Sequence, residues 1–347
     1  MPKFCPTAKW NPNGTIYPSR SKELNRPRNI FVDIEDTVYV SYDETGLVVV
    51  WLHGTDNPSK IYNSTLLVND ESKMSNFFSK LIEYITEVVS KYLNGWKFWS
   101  WGSNEPSDES MIPFNISNSL FATSNESIYI GDGHNKRIVN WENRTDFTTI
   151  ELNNHSPCYG LFVDLNNTLY CSSRGSHEVI KRMYPYENNQ WTIAAGTGSS
   201  GSTSEALNSP FGIFVANNFD LYVSDWGNNR IQLFKYEDLN GSTVLDNQVP
   251  IDENPLKHPT SLILDADDNL YIVDSENHRI VFVSADQKVY KCLIGCSRKP
   301  DSGHDHLKFP TSISFDSSGS ILVSDTNNNR VMKFQYQSSL CSKYTKF

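Results

Sequence analysis

The feature that most constrains this chain is a pattern that returns along most of its length. The stretch LYVSDWGNNRIQLF (221–234) is followed by LYIVDSENHRIVFV (270–283) and ILVSDTNNNRVMKF (321–334). In each copy, two runs of β-branched and aromatic residues flank a polar turn, which predicts a hairpin of two strands. A further apolar run precedes each hairpin, so every unit predicts three strands. A fourth strand fits in the segment between units, such as WTIAAG or KVYKCLIG.

The opening runs recur at intervals that suit the blades of a β-propeller. Their central residue is Phe31, Phe121, Phe162, Phe214, Ile263 or Ser314, and from Phe121 onward the spacings are 41, 52, 49 and 51 residues. The first spacing, of 90 residues, is about twice as long. A degenerate copy centred on Phe78 fits this gap, because WSWGSNEPS (99–107) resembles WLHGTDNPS (51–59). Units of this length that cover most of a chain are typical of propeller blades.

The sequence therefore predicts an all-β fold, a closed β-propeller of four-stranded blades that forms a single domain over residues 1–347. We predict seven units, at about 27–65, 70–110, 113–155, 157–205, 209–255, 258–305 and 309–341. Residues 5–20 are predicted to supply the outer strand that closes the last blade. The alternative is six blades with a helical insertion at about 70–95, because the apolar residues between Met74 and Tyr92 also fit one helical face.

An aspartate ends the second strand of four units, and an arginine begins the third strand five residues later. The pairs are Asp132 and Arg137, Asp225 and Arg230, Asp274 and Arg279, and Asp325 and Arg330. A hairpin brings two such side chains alongside each other, and a guanidinium can then bridge the carboxylate and nearby carbonyl groups. We interpret them as structural turn pairs rather than as metal-binding acids, because they recur in every good copy. Asp33, Asp164, Asp265 and Asp316 also recur at one position and are interpreted as turn formers.

These residues resemble the NHL repeat, whose units open near a proline and continue as Φ-Y-Φ-x-D and N-x-R-Φ, where Φ is apolar. SPFGIFVANNFDLYVSDWGNNRIQLF (209–234) resembles it most closely, and the resemblance extends over about 27–335. It implies a propeller, usually of six blades, so seven units would depart from the family. NHL proteins include enzymes, receptors and scaffolds, so the resemblance implies fold rather than activity.

Some NHL enzymes, such as the amidating lyases, hold zinc with three histidines, each directly after the opening proline. The matching positions here are Arg28, Ser75, Asn118, Tyr159, Phe211, Thr260 and Thr311, none of them histidine. We therefore predict no zinc site of that kind, no cofactor and no catalytic residue. Arg28, Tyr159, Phe211, Thr260 and Thr311 are instead predicted to line the channel. His304 and His306 are weak candidates for a metal site.

The six cysteines allow two predicted disulfides and one doubtful pair. Cys5 and Cys341 would join the chain ends in the last blade, and Cys292 and Cys296 share one short turn. In a regular hairpin Cys158 would lie roughly 13 Å along the strand from the partner of Cys171. We therefore expect two buried thiols there unless the hairpin is bulged.

Charge and composition argue against some classes of function and favour others. A net charge of −10 argues against nucleic-acid binding, and no apolar run approaches the length of a membrane span. Eight Asn-x-Ser/Thr sequons and the cysteines favour an extracellular glycoprotein, although MPKFCPTAKW is not a signal peptide, so a cytoplasmic location is the alternative. We predict a non-enzymatic module that binds a protein, peptide or glycan, with Tyr42, Trp226 and GWKFWSW (95–101) as candidate contacts or packing residues. The alternative is a metal-dependent lyase or lactonase with its site at the channel mouth.

Overall fold

The computed structural model describes residues 1–4, 8–17, 25–43, 46–55, 58–62, 117–123, 127–133, 135–142, 146–183, 190–249 and 254–337. The chain divides into two compact units, Met1–Tyr62 with Phe114–Phe347, and Asn63–Pro113. The second unit lies outside the described residues, so the prediction of a single domain over 1–347 stays a prediction. No helix in the described part of the chain is long and apolar enough to span a bilayer.

In the first unit, the described strands form six antiparallel sheets of four strands each. Blade 1 contains β2 (Pro27–Val32), β3 (Val38–Tyr42), β4 (Val48–Trp51) and β5 (Lys60–Tyr62). Blade 2 contains β6 (Ser117–Ala122), β7 (Ile128–Asp132), β8 (Arg137–Glu142) and β9 (Asp146–Glu151). Blade 3 contains β10 (Cys158–Val163), β11 (Leu169–Ser173), β12 (Glu178–Arg182) and β13 (Thr192–Gly196).

Three further sheets complete the set. Blade 4 contains β14 (Ile213–Val215), β15 (Leu221–Asp225), β16 (Arg230–Phe234) and β17 (Gly241–Leu245). Blade 5 contains β18 (Pro259–Leu264), β19 (Leu270–Asp274), β20 (Arg279–Val283) and β21 (Tyr290–Ile294). Blade 6 contains β22 (Ser312–Phe315), β23 (Ile321–Asp325) and β24 (Arg330–Phe334), and its outer strand is β1 (Thr15–Tyr17). Short 3₁₀ helices join the second and third strands in blades 3 to 6, at Arg174–Ser176, Trp226–Asn228, Ser275–Asn277 and Thr326–Asn328.

The blades exist because each central strand is apolar on both faces. All five residues of β3, β7 and β19 are buried, as a strand requires when it is covered on both sides. The residues between neighbouring sheets form the core clusters. Ile231, Leu233 and Leu245 of blade 4, for example, belong to the same cluster as Leu262 and Leu270 of blade 5.

The prediction of seven blades is wrong, because blade 1 packs directly against blade 2. The ring centroids of Phe31 and Phe121 lie 4.8 Å apart, the same distance as between Phe121 and Phe162. At this spacing, no blade fits between the two. Blade 6 in turn contacts blade 1, where Ile30 N donates to Ser312 Oγ at 3.2 Å, so six blades close the ring. The predicted unit at 70–110 and the alternative helix at 70–95 lie outside the described residues.

The expectation of two free thiols in blade 3 is also wrong. Cys158 and Cys171 form a disulfide, with their Cα atoms 5.3 Å apart. The reason is a β-bulge, because the pairing of β10 with β11 shifts register between Cys158 and Gly160. The bulge removes the regular spacing on which the expectation depended. Cys292 and Cys296 form a second disulfide, whereas the predicted pair Cys5 and Cys341 lies outside the described residues.

Candidate functional site

The candidate site lies at one mouth of the channel, where each first strand begins and each second strand ends. These ends are neighbours because Pro27 pairs with Tyr42, Cys158 with Ser173 and Pro259 with Asp274. Two positions of each blade therefore face this mouth together. We call them the inner-strand position (Arg28, Asn118, Tyr159, Phe211, Thr260 and Thr311) and the turn position (Asp43, Gly133, Arg174, Trp226, Ser275 and Thr326).

A bulge sets the inner-strand position apart from the rest of the strand. The register shifts there in the first hairpin of blades 1, 2, 3 and 5. A bulge re-aims the side chain of the extra residue and is common beside binding sites. The structure brings together Arg28, Tyr159 and Phe211 of the predicted channel-lining residues. The rings of Tyr159 and Phe211 meet edge to face, with centroids 5.0 Å apart.

The other two predicted lining residues make contacts between blades. Thr260 Oγ1 donates to the carbonyl of Pro310 at 3.4 Å, and Thr311 Oγ1 donates to the carbonyl of Arg28 at 2.5 Å. The hydroxyl of Thr311 also lies 2.7 Å from that of Thr326, at the turn position of the same blade. Blades 5 and 6 thus carry small hydroxyl residues at the inner-strand and turn positions, and Thr260, Ser275 and Thr326 are buried.

Arg174 completes the site, and sequence reasoning missed it. Its guanidinium carbon lies 5.1 Å from the ring centroid of Tyr159, 5.5 Å from that of Phe211 and 4.8 Å from that of Trp226. The guanidinium carbon of Arg28 lies 5.9 Å and 5.4 Å from the rings of Tyr159 and Phe211. These distances are within the range of cation–π attraction. We call Arg28, Tyr159, Arg174, Phe211 and Trp226 the mouth cluster.

Asp43 and His258 flank the mouth cluster on opposite sides. Arg28 Nη1 lies 3.4 Å from Asp43 Oδ2, at the turn position of the same blade. Burial lowers the pKa of Arg28, the carboxylate of Asp43 opposes this, and the charge of Arg174 adds to the lowering. An arginine nevertheless stays charged at neutral pH. On the other flank, the ring of Trp226 stacks on that of His258, with centroids 4.1 Å apart and an angle of 16° between planes.

A cavity of about 500 Å³ lies along the channel next to the mouth cluster. Tyr159 belongs both to the cluster and to the cavity wall, and small residues such as Gly160 and Gly212 follow. The central residues of the opening runs then line the cavity: Phe31, Phe121, Phe162, Phe214, Ile263 and Ser314. The far end is lined by Asp33, Asp316, Met1 and Pro2. The volume falls within the range of natural ligand pockets.

The Asp–Arg turn pairs lie within the blades. The distance from Nε to Oδ2 is 2.8 Å for Arg137 and Asp132, 2.6 Å for Arg230 and Asp225, 2.7 Å for Arg279 and Asp274, and 2.7 Å for Arg330 and Asp325. All four carboxylates are fully buried. The guanidinium of Arg230 also donates to the carbonyls of Ser202, Thr203 and Ala206, so it anchors the loop that enters its own blade.

Blade 3 lacks an Asp–Arg pair and is held differently. Ser173, in place of the aspartate, donates through its hydroxyl to the carbonyl of Ser156 at 2.9 Å. Glu178, in place of the arginine, lies 2.7 Å from Nδ1 of His155. The acid of this blade thus begins the third strand, its basic partner lies in the loop before the first strand, and the bridge of Cys158 and Cys171 adds a covalent link.

The weak metal candidates are not brought together as a site. Nδ1 of His304 lies 2.9 Å from the carbonyl oxygen of Gly14, beside the strand that closes blade 6. Nδ1 of His306 lies 2.6 Å from Asp305 Oδ1, and this contact lowers the pKa of Asp305. Within the described ranges, no three His, Cys, Asp or Glu side chains form a group that could hold a metal ion.

Of the aromatic residues predicted as partner contacts, only Trp226 lies in the mouth cluster. Tyr42 is 3% exposed and packs in the core with Val40 and Leu47, so of the two roles considered for it the structure shows packing. The stretch GWKFWSW (95–101) lies outside the described residues.

Comparison with solved structures shows the fold. Virginiamycin B lyase from Staphylococcus aureus matches with a TM-score of 0.55 and 12% identity, over 93% of this chain and 98% of that one. An auxiliary nutrient binding protein from Bacteroides thetaiotaomicron matches with a TM-score of 0.60 and 12% identity, over 96% and 78%. A chain of a nidogen/laminin complex matches with a TM-score of 0.53 and 15% identity, over 87% and 94%.

The sequence was compared with curated proteins and with protein-family models. No curated protein sequence matches it significantly. The family model of the NHL repeat matches residues 307–334, which contain the opening run, the hairpin and the Asp325–Arg330 pair of blade 6. Blades 2, 4 and 5 repeat this arrangement, whereas blades 1 and 3 have the opening run and the hairpin without the Asp–Arg pair. The chain therefore carries a match to the NHL repeat in blade 6 and is folded as a six-bladed β-propeller.

Proposed function

We propose that this β-propeller is a non-enzymatic NHL module that binds a protein, peptide or glycan partner outside the cell, with the mouth cluster as its binding site. The observation that carries the proposal is the asymmetry of the mouth. Blades 3 and 4 present Tyr159, Arg174, Phe211 and Trp226, whereas blades 5 and 6 present threonine and serine at the same positions. Because the fold forms with either set, the cluster is not needed to build a blade.

The residue types of the mouth cluster support a binding role. Tryptophan, tyrosine and arginine are the residues that most often dominate the energy of protein interfaces. Trp226 and Arg174 are half-buried and stacked on other rings. A side chain that is already ordered loses less conformational entropy when a partner binds.

Two observations support an extracellular location. The described part of the chain contains two disulfides, and disulfides persist mainly in oxidising compartments. Four of the eight sequons lie in described residues, and the asparagine of each is exposed: Asn13, Asn154, Asn166 and Asn240. We therefore expect N-linked glycans on protein from a eukaryotic secretory host.

The experiment that tests the function compares two proteins from such a host, the wild type and Arg174→Gln. Both are applied to a panel of purified extracellular proteins, peptides and glycans, and binding is measured by surface plasmon resonance. The proposal predicts at least one partner whose affinity falls about tenfold or more in the variant, as for a charge-assisted contact at an interface. Lys299→Gln, an exposed substitution with the same change of charge, is the matched control.

Native mass spectrometry of the same samples separates this function from the alternative of a metal-dependent lyase or lactonase. Glycans and intact disulfides without a bound metal agree with the proposal. A stoichiometric divalent ion would favour the enzyme, and six free thiols without glycans would place the chain inside the cell. The likeness to virginiamycin B lyase, at 12% identity, concerns the fold alone.

A further inference from the structure

The charge of Arg174 has no counterpart in the described part of the chain. Its guanidinium lies over three aromatic rings, and no described carboxylate or carbonyl accepts a hydrogen bond from it. A guanidinium carries five N–H donors in one plane. Stacking against rings occupies the faces of that plane and leaves the edges, which match a carboxylate in two parallel hydrogen bonds.

Arg28 adds a second cation next to the same two rings. Its Nε is buried and has no hydrogen-bond partner, whereas its Nη1 lies 3.4 Å from Asp43. Arg26 lies 3.7 Å from the same carboxylate. Arg26 and Arg28 therefore share one carboxylate, and Arg174 lies over the same two rings as Arg28 without a described carboxylate of its own. Like charges raise each other's energy, and an arriving anion would relieve this repulsion.

The arginines favour an anionic ligand, and the cavity favours a ligand that also has an apolar group. Tyr159 is shared by the mouth cluster and the cavity wall, and Phe121, Phe162 and Phe214 line the wall further along the channel. Gly160 and Gly212 also line the cavity, and their lack of a side chain lets neighbouring blades approach closely, because a Cβ on either would lie 2.6 Å from a carbonyl oxygen of the next blade. A ligand that satisfies both parts carries a carboxylate beside an apolar group.

We propose that the mouth cluster binds an acidic side chain of an extended peptide segment, with the carboxylate on Arg174 and Arg28 and a neighbouring apolar side chain in the phenylalanine-lined cavity. This proposal rests on the proposed function and specifies its ligand. A carboxylate is favoured over phosphate or sulfate because the stacked guanidinium offers a planar edge and the cavity beneath it is apolar.

The experiment uses three short peptides and the full-length wild-type chain. The probe is acetyl-Ala-Glu-Phe-Ala-amide, and its controls replace Glu by Gln or Phe by Ala. Dissociation constants are measured by isothermal titration calorimetry at millimolar peptide concentrations. We expect the Glu peptide to bind about tenfold or more tightly than the Gln peptide, because a hydrogen bond to a charged group is stronger than a neutral one. We expect a loss of about tenfold or more for the Ala peptide, because the phenyl ring leaves the cavity.

Variants then locate the interaction. Arg174→Gln is expected to lose most of the preference for the Glu peptide, because only Arg28 remains to bind the carboxylate, whereas Arg174→Lys keeps a larger part of it and Lys299→Gln keeps all of it. Equal binding of both peptides to the wild type, or a preference that survives undiminished in Arg174→Gln, would overturn the proposal. The same holds if the Glu peptide does not bind at all, or if inorganic sulfate displaces it more strongly than acetate.

The proposed function and this inference can fail separately. The panel of extracellular ligands could yield a partner whose binding depends on Arg174 while the peptides show no preference for Glu. In that case the proposed binding function holds and the proposed ligand class is wrong. If no ligand in the panel depends on Arg174, the proposed function itself fails.

Discussion

At one end of the channel most blades carry the same residue at equivalent positions, whereas at the other end the residues differ. At the far end, an aspartate recurs directly after the first strand, as Asp33, Asp164, Asp265 and Asp316. In blade 5, Asp265 Oδ1 accepts hydrogen bonds from the N–H groups of Asp267 and Asn269, each at 3.0 Å, and its Oδ2 accepts from the hydroxyl of Tyr271 at 3.1 Å. Blades 1 and 3 repeat this arrangement with Tyr39 and Tyr170.

At the mouth, the residues at equivalent positions differ from blade to blade. The inner-strand position holds arginine, asparagine, tyrosine, phenylalanine and threonine, and the turn position holds aspartate, glycine, arginine, tryptophan, serine and threonine. Contacts that recur in several blades close turns and anchor loops, as the Asp–Arg pairs do. Residues that differ at one structural position are not required by the blade. Residues that recur in several blades therefore stabilise the fold, whereas residues that differ between blades at one position form the candidate site.

The largest effect is expected where a recurrent buried pair is broken. In Arg279→Gln, the carboxylate of Asp274 loses the guanidinium that lies 2.7 Å away, and both side chains are fully buried. We expect the free energy of unfolding to fall by about 3–5 kcal/mol, because an uncompensated charge remains in the core. Urea denaturation measures this, with Lys299→Gln as the exposed control, expected to change by less than about 0.5 kcal/mol. A loss for Arg279→Gln as small as that of the control would show that the recurrent pair does not hold the blade.

The disulfide of blade 3 tests whether a blade without an Asp–Arg pair depends on its covalent link. Replacing both Cys158 and Cys171 by alanine opens a bridge between residues 13 apart in sequence. The chain-entropy model gives a loss of about 3 kcal/mol. The matched control removes Cys292 and Cys296, which are 4 apart, with an expected loss of about 2 kcal/mol. If the control proves more costly than the blade 3 variant, the role assigned to the blade 3 bridge is wrong.

A smaller effect, on the pH dependence of the folding stability, is expected at the junction between blades 5 and 6. Nδ1 of His278 accepts a hydrogen bond from Phe309 N at 3.2 Å, where the previous junction uses Asn229 Oδ1 and His258 N at 2.8 Å. Burial lowers the pKa of His278 below its usual value, although nearby carboxylates oppose this. Because the pKa is lower in the folded state, stability is complete above the unfolded pKa of about 6.5 and is lost as the pH falls below it.

His278→Asn restores the residue type of the other junction and removes the titrating ring. We expect unchanged stability near pH 7 and a smaller loss than the wild type shows between about pH 7 and pH 5. Denaturation midpoints at several pH values measure this. An identical pH profile for the two proteins would contradict a role for the neutral imidazole at this junction.

The smallest effect on stability is expected at the mouth. Arg174→Gln removes the stacked guanidinium but leaves every blade hydrogen bond in place. We expect the free energy of unfolding to change by less than about 1 kcal/mol, the size of a partly exposed cation–π contact. Thermal and urea denaturation measure it. A loss comparable to that of Arg279→Gln would make Arg174 a structural residue and remove the contrast between the two ends.

Much of the fold could be predicted from the sequence because the evidence for it is repeated. The runs of apolar residues locate the strands of blades 3 to 6, and the spacing of Asp225 and Arg230 predicts their contact. The blade count could not be predicted from spacing, since the 90 residues between Phe31 and Phe121 suit an extra unit as well as an insertion. Only the packing of those two rings decides it.

The site was predicted in part, and the omissions have physical causes. Arg28, Tyr159 and Phe211 follow from the position after the opening residue. Arg174 was missed because only the position after the opening residue was compared across units, whereas the position after the second strand differs as well. The sequence left open whether the hairpin is bulged at Cys158, because register shifts leave no mark in residue spacing.

The measurement that tests this account most directly gives blade 3 the mouth residues of blade 5. The double variant Tyr159→Thr with Arg174→Ser copies Thr260 and Ser275. Its unfolding free energy and its affinity for a partner found in the extracellular panel are measured on the same samples. The account predicts a folded protein within about 1–2 kcal/mol of the wild type and a loss of affinity of about tenfold or more. A variant that unfolds, or that binds its partner as tightly as the wild type, would contradict the claim that residues which depart from the repeat carry the function.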